Sequence, residues 1–270
     1  MKDETAEIIL CLIEKSELKI TPAELEKKAA VQFNVKRKNI KAVIRSLVEK
    51  GELQYTYIFG RTFIEKSFHK PVRLSKHVII KPPGVLVQDK EKDDVVIKIK
   101  DGASFGTGRH PTTLLAVNGL EYLLKDSCFI KKNNDTDLLD IGTGSGILLI
   151  TALMLGIKRA VGIDIDPCSL YDAGENIKEN DLKDRAKILG ISIDDIKDKF
   201  QLITANLRYP TLKNLFPKIN EITTKNGAVV VSGLKTCEAD RLVNIYTEKY
   251  FKLEWRLNKK DWTGLVFVKQ

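Results

Sequence analysis

The 270-residue sequence predicts an α/β protein, with a mostly parallel, doubly wound seven-strand sheet that ends in an antiparallel hairpin, behind a small helical domain. Three observations predict it. From Asp137 onward, apolar strand-like runs alternate with helical ones. A glycine-rich turn, Gly142-Thr143-Gly144-Ser145-Gly146, joins the first of these strands to its helix. Ahead of residue 67, helical periodicity and cap residues mark three helices and a hairpin instead.

The first helix, about Glu4–Lys15, gathers Ile8, Ile9, Leu12 and Ile13 on one face. The second starts at Thr21-Pro22-Ala23-Glu24, a capping box with proline in the first turn, where its missing N–H costs nothing. The third, about Lys36–Lys50, turns Ile40, Val43, Ile44 and Leu47 inward and stops at Gly51. Its outer positions carry Lys36, Arg37, Lys38, Lys41 and Arg45. Two β-rich runs, Leu53–Phe59 and Arg61–Ile64, break at Gly60. Residues 67–103 read as a connecting β-rich segment with strands at His77–Lys81 and Val95–Lys100, closer in character to the C-terminal half.

Residues 104–270 form the α/β domain. Its strands are expected at Asp137–Ile141, Ala160–Asp164, Ala186–Leu189, Gln201–Ala205, Ala228–Ser232, Leu253–Leu257 and Leu265–Lys269. A short turn around Trp262-Thr263-Gly264 makes the last two antiparallel.

Composition narrows the classes. A chain with 43% hydrophobic and 30% charged residues is an ordinary globular one, long enough to bury a full core. No apolar run reaches about 18 residues, so no transmembrane helix and no membrane partner are expected. The N-terminus lacks a signal-peptide pattern. Cys11, Cys128, Cys168 and Cys237 lie far apart with no C-x-x-C pair, which argues against a metal site and for reduced thiols in the cytoplasm. A formal charge of +9 favours anionic partners such as nucleic acid or the ribosome.

Three motifs carry the chemistry. In Asp140-Ile141-Gly142-Thr143-Gly144-Ser145-Gly146 the glycines allow a tight turn and close ligand approach. The third glycine comes one residue too early for a dinucleotide fingerprint, and the acid at the strand end favours S-adenosylmethionine (SAM) instead. In Gly162-Ile163-Asp164-Ile165-Asp166-Pro167, Asp164 stands where a carboxylate accepts both ribose hydroxyls of a nucleoside. Asp166 is the alternative for that role, or caps the helix that Pro167 begins. The third motif is Ser104-Phe105-Gly106-Thr107-Gly108-Arg109-His110-Pro111-Thr112-Thr113, before a helix over Thr112–Leu124.

F-G-T-G-x-H-P-T-T, then D-x-G-x-G-S-G-I-L, then G-I-D-I-D-P, then Ala205-Asn206, resembles the PrmA family from about Val95 to the C-terminus. Asp261-Trp262-Thr263-Gly264 suits that family's final hairpin. These are bacterial methyltransferases that modify amino groups of a large-subunit ribosomal protein. The resemblance implies a Rossmann-like class I methyltransferase domain that uses SAM. Carried over by motif, it implies cofactor contacts at Phe105, Thr112, Thr113, Gly142, Gly144, Gly146, Asp164, Ile165 and Asn206. Asn206 also stands where it would hold the acceptor nitrogen, and His110 is either catalytic or a backbone partner in its loop. Thr113 and Asn206 each have a plainer alternative, satisfying backbone near a helix start or a turn.

The family carries a different N-terminal α+β module, and here the three helices and hairpin of residues 1–66 stand in its place. That order resembles a winged helix-turn-helix domain, whose third helix meets phosphates in nucleic-acid binders and protein surfaces in docking modules. Asn206-Leu207-Arg208-Tyr209 also echoes, without its prolines, the N-P-P-Y of enzymes that methylate exocyclic amines. The expected function is therefore protein amino-group methylation, on a ribosomal or translation-associated acceptor. The alternatives are a nucleic-acid methyltransferase and a non-catalytic SAM-binding regulator.

Overall fold

The structure, a computed structural model, describes residues 2–16, 19–33, 35–58, 60–67, 70–100, 102, 110–127, 129, 136–248 and 250–270. The chain divides into two units, Met1–Pro71 and Val72–Gln270.

In the first unit, helices α1 (Lys2–Lys15), α2 (Pro22–Phe33) and α3 (Arg37–Glu49) precede a hairpin of β1 (Leu53–Ile58) and β2 (Arg61–Lys66). The capping box forms as the sequence predicts. The Glu24 amide donates to Thr21 Oγ1 at 3.3 Å, and Glu24 Oε2 accepts from the Thr21 amide at 2.9 Å. At the other end of the helical run, Gly51 at φ +67° closes α3. Its amide reaches Val48 O and the Glu52 amide reaches Leu47 O, a Schellman stop that uses two otherwise unmet carbonyls. Ile9, Leu25, Ala29, Ile40, Ile44, Leu47, Leu53 and Ile64 form the core of this unit. The opposite face of α3 exposes Lys36, Arg37, Lys38, Lys41 and Arg45.

The second unit begins with a three-stranded sheet of β3 (Val72–Arg73), β4 (Val78–Lys81) and β5 (Val95–Lys98). The expected β-rich segment is thus mixed: β3 is antiparallel to β4, whereas β4 and β5 run parallel. The outer edge of β5 is met by side chains. Asn180 accepts from the Lys98 amide at 2.9 Å and donates to the Lys98 carbonyl at 2.7 Å, while Asn176 accepts from the Lys100 amide at 2.8 Å.

The main sheet contains β6 (Asp137–Ile141), β7 (Arg159–Ile163), β8 (Ala186–Leu189), β9 (Phe200–Asn206), β10 (Thr223–Lys235), β11 (Phe251–Lys259) and β12 (Trp262–Lys269). Its order is β11-β12-β10-β9-β6-β7-β8; β12 runs antiparallel to both β11 and β10, and the other pairs are parallel. The helices are α4 (Pro111–Glu121), α5 (Ile147–Met154), α6 (Pro167–Glu179), α7 (Tyr209–Ile222) and α8 (Thr236–Thr247). A single π turn, Tyr122–Asp126, continues α4.

Both faces of the sheet are covered, which is why its strands read as continuous apolar runs. Alternate residues serve opposite cores. Leu138 and Val230 join one with α4 and α5, and Leu139 and Val229 join the other with α7 and α8. The hairpin turn lies earlier than expected, at Lys260-Asp261, with Lys260 at φ +54°. Trp262, Thr263 and Gly264 already belong to β12, where they pair with Lys259, Asn258 and Leu257.

Candidate active site

The strand order reverses at β6, which has β9 on one side and β7 on the other. In doubly wound sheets, ligands bind at the carboxyl ends of the strands beside such a reversal. Two of the motifs meet there with Asn206: the glycine loop follows Ile141, Asp164 follows Ile163, and Asn206 ends β9.

Gly142, Gly144 and Gly146 have φ of +68°, +54° and +78°, backbone that side chains with a Cβ rarely adopt. Two amides pin the loop to β7, since Gly142 and Thr143 both donate to Ile163 O, at 2.9 and 3.0 Å. Beneath it, Asp140 is 1% exposed and sits between two hydroxyls. Thr143 Oγ1 donates to Oδ2 at 2.7 Å and Thr204 Oγ1 to Oδ1 at 2.6 Å. Burial pushes the Asp140 carboxyl up to about 6 even though both hydroxyls favour its ionised form. The acid at the end of β6 is therefore a buried prop for the loop.

Asp164 is half-buried at the surface of the loop. Oδ2 accepts from the Gly144 amide at 3.0 Å and Oδ1 from the Asp166 amide at 3.1 Å. An ionised carboxylate has about four lone-pair sites, so these two bonds leave capacity for a ligand diol. The neighbouring Ile165 is 83% exposed. Asp166 caps α6, accepting from the Cys168 amide and the Ser169 hydroxyl, which is the second of the two roles the sequence left open.

At the start of α4, Thr112 and Thr113 are both buried. His110 is the N-cap: its Nδ1 accepts from the Thr112 amide at 3.3 Å and lies 2.8 Å from the Thr112 hydroxyl. With Nδ1 used as an acceptor, the neutral ring carries its proton on Nε2. Burial lowers the His110 pKa, and the nearby Lys235 and Lys260 lower it further. The ring stands edge-on to Trp262 with centroids 5.0 Å apart, and Lys235 Nζ lies 4.1 Å above the indole.

Among the described residues, Thr113 Oγ1 and Asn206 Oδ1 are buried without a hydrogen-bond partner. Phe105, with the rest of residues 103–109, lies outside the described residues. Three contributors escaped the sequence reading: the Thr143 and Thr204 hydroxyls under the loop, and Asn176, whose Nδ2 donates to Ser145 O at 2.9 Å. Thr204 stands 64 residues from Asp140, so no local pattern announces the pair. Among the described residues, no cluster of His, Cys, Asp or Glu could hold a metal ion.

The arrangement offers a backbone loop for close approach, a carboxylate with lone pairs to spare, an exposed apolar side chain beside it, and two unmet buried oxygens. Residues 27–270 match the family model described as ribosomal protein L11 methyltransferase (PrmA). The match reaches back into α2, well before the Val95 start that the motifs define. The ribosomal protein L11 methyltransferase of Heliobacterium modesticaldum is 31% identical over 202 residues, which cover 74% of this chain and 61% of that protein. The one from Pasteurella multocida is 35% identical over 201 residues, covering 74% and 64%. The chain thus spans under two-thirds of the length of either relative. A solved ribosomal protein L11 methylase from Lactobacillus delbrueckii subsp. bulgaricus aligns with a TM-score of 0.65 and 29% identity, over 74% of this chain and 98% of that one.

Proposed function

The chain belongs to the PrmA family, and from that premise we propose that it transfers methyl groups from SAM to amino groups of a ribosomal protein, with ribosomal protein L11 as the acceptor. The observation that carries this reading is the pair of unmet buried oxygens, Thr113 Oγ1 and Asn206 Oδ1. A buried polar atom left unsatisfied costs about 1–3 kcal/mol. Asn206 ends β9 beside the strand reversal and Thr113 lies in the first turn of α4, and N–H or O–H donors of cofactor and acceptor would satisfy them.

The residues present fit SAM. Gly142, Gly144 and Gly146 would admit its close approach, Asp164 would accept the ribose hydroxyls, and Ile165, Thr112 and Thr113 would hold the rest of it. When bound, SAM supplies an electrophilic methyl group on a sulfonium. The chain's own work is alignment and exclusion of water. Asn206 holds the acceptor nitrogen through its unmet oxygen. Trp262 and His110 form a wall beside it. The acceptor amine must be neutral to attack, and its unperturbed pKa is about 10.4. Lys235 and Lys260, the cations that lower the His110 pKa, act in the same direction on an ammonium brought beside them.

Residues 1–66 serve substrate docking, with a winged-helix-like arrangement. They contain no cofactor motif, and the five exposed cations of α3 suit a polyanionic partner such as nucleic acid. The test of the whole reading is transfer of tritium from methyl-labelled SAM to purified ribosomal protein L11. Label in protease-sensitive, nuclease-resistant material supports it. Label in nucleic acid, or none, overturns it.

A further inference from the structure

Along the same edge of the sheet, a concavity of about 400 Å³ opens between the β3–β4 turn, α4 and the end of β11. It adjoins the site through two chain connections. Leu114 on its wall follows Thr113, and Lys259 on its rim pairs in register with Trp262. Leu74, Leu114 and Leu257 give it an apolar lining. Lys76 and Lys259 are exposed at the rim and form no ion pair among the described residues. Ser75 is 8% exposed, and its Oγ is buried without a hydrogen-bond partner among the described residues.

The local carboxylates are already used. Asp94 holds Arg73 through two hydrogen bonds of 2.8 and 2.7 Å. Glu121 accepts from the Lys76 and His77 amides at 3.1 and 2.7 Å. The cavity is therefore left with two cations lacking a counter-charge and a hydroxyl lacking an acceptor, above an apolar floor. A ligand with an apolar stem and an anionic head satisfies all three. A phosphodiester backbone has no such stem.

We propose that this cavity receives a glutamate or aspartate side chain of the acceptor protein near the amine to be methylated, and so selects acceptors by acidic sequence. The proposal rests on the methyltransferase reading, and its test does not require turnover. A fluorescently labelled oligoglutamate peptide is titrated with the full chain at about 50 mM salt, where ion pairing is weakly screened. The double variant Lys76→Glu, Lys259→Glu should bind at least about tenfold more weakly, a change of about 1.4 kcal/mol, and Ser75→Ala a few-fold more weakly. The variant Lys36→Glu, Lys41→Glu, at the start of α3, should weaken peptide binding less than the Lys76/Lys259 variant does. With ribosomal protein L11 as acceptor, the Lys76/Lys259 variant should raise KM and leave kcat within about twofold. Peptide binding that is absent from the natural chain, or unchanged in the Lys76/Lys259 variant, overturns the cavity. So does loss of RNA-oligonucleotide binding in that variant with peptide binding intact. Failure to label ribosomal protein L11 while the peptide behaves as expected overturns the methyltransferase reading alone.

Discussion

Asp164 Oδ2 accepts a 3.0 Å hydrogen bond from the Gly144 amide, so the acid after β7 and the glycine loop after β6 are held as one unit. Replacing Asp164 therefore removes both a ligand acceptor and a strut of the loop. Asp164→Ala should weaken S-adenosylhomocysteine binding by about 2–3 kcal/mol, roughly 30- to 150-fold in Kd. Isothermal calorimetry measures it directly, and an unchanged Kd would place the ribose elsewhere.

Gly144 is buried in the loop at φ +54°, where a β-branched side chain is strained. The variant Gly144→Val should retain the fold by circular dichroism and lose S-adenosylhomocysteine binding. The natural chain should bind S-adenosylhomocysteine and not NAD. A folded Gly144→Val variant with normal affinity would show that the loop does not seat the cofactor.

Asp140 gives stability a pH dependence of definite sign. Its carboxyl is raised from an ordinary 3.8 to about 6, chiefly by burial, so the folded state binds its proton more tightly than the unfolded state. Its contribution is most favourable below about pH 4, declines as pH rises through 6, and is constant above. The difference corresponds to about 3 kcal/mol. Asp140→Asn keeps the shape, removes the charge, and can still pair with the Thr143 and Thr204 hydroxyls. Urea unfolding at several pH values should show this variant gaining on the natural chain between pH 4 and 6. A constant difference across that window would contradict the burial argument.

The five exposed cations of α3 make a separate prediction for the first unit. Charge reversal at Lys36, Arg37 and Lys41 should weaken RNA or DNA binding and flatten its salt dependence, because fewer counterions are released. Deleting residues 1–66 should leave S-adenosylhomocysteine binding nearly intact and lower acceptor methylation, since remote docking energy is lost. A salt titration of the full chain and its charge-reversed variant decides the first point. If neither binds at about 50 mM salt, protein docking becomes the better account.

Elements declared by local signals were legible in the sequence: the capping box at Thr21, the stop at Gly51, the turn glycines and the alternating strands. The final hairpin shows where local reading misleads. Gly264 reads as a turn residue, yet it lies within β12, where a Cβ would stand 3.0 Å from Leu115 Cβ on α4. It is a close-packing glycine, and Trp262 beside it pairs across to both Lys235 and Lys259. The site was legible only as motifs. The hydroxyls around Asp140 and the bracket of Asn176 between Ser145 and Lys100 join residues that only tertiary folding brings together.

Asn176 and Asn180 lie one helical turn apart on α6, matching the spacing of alternate amides along β5. Their side-chain amides occupy the hydrogen-bonding groups that a fourth strand would use. An open strand edge is a template for pairing between molecules, and long exposed edges are a recurrent route to aggregation. Two helix side chains thus act as a terminator for the small sheet. They keep that edge from recruiting a second copy of the chain.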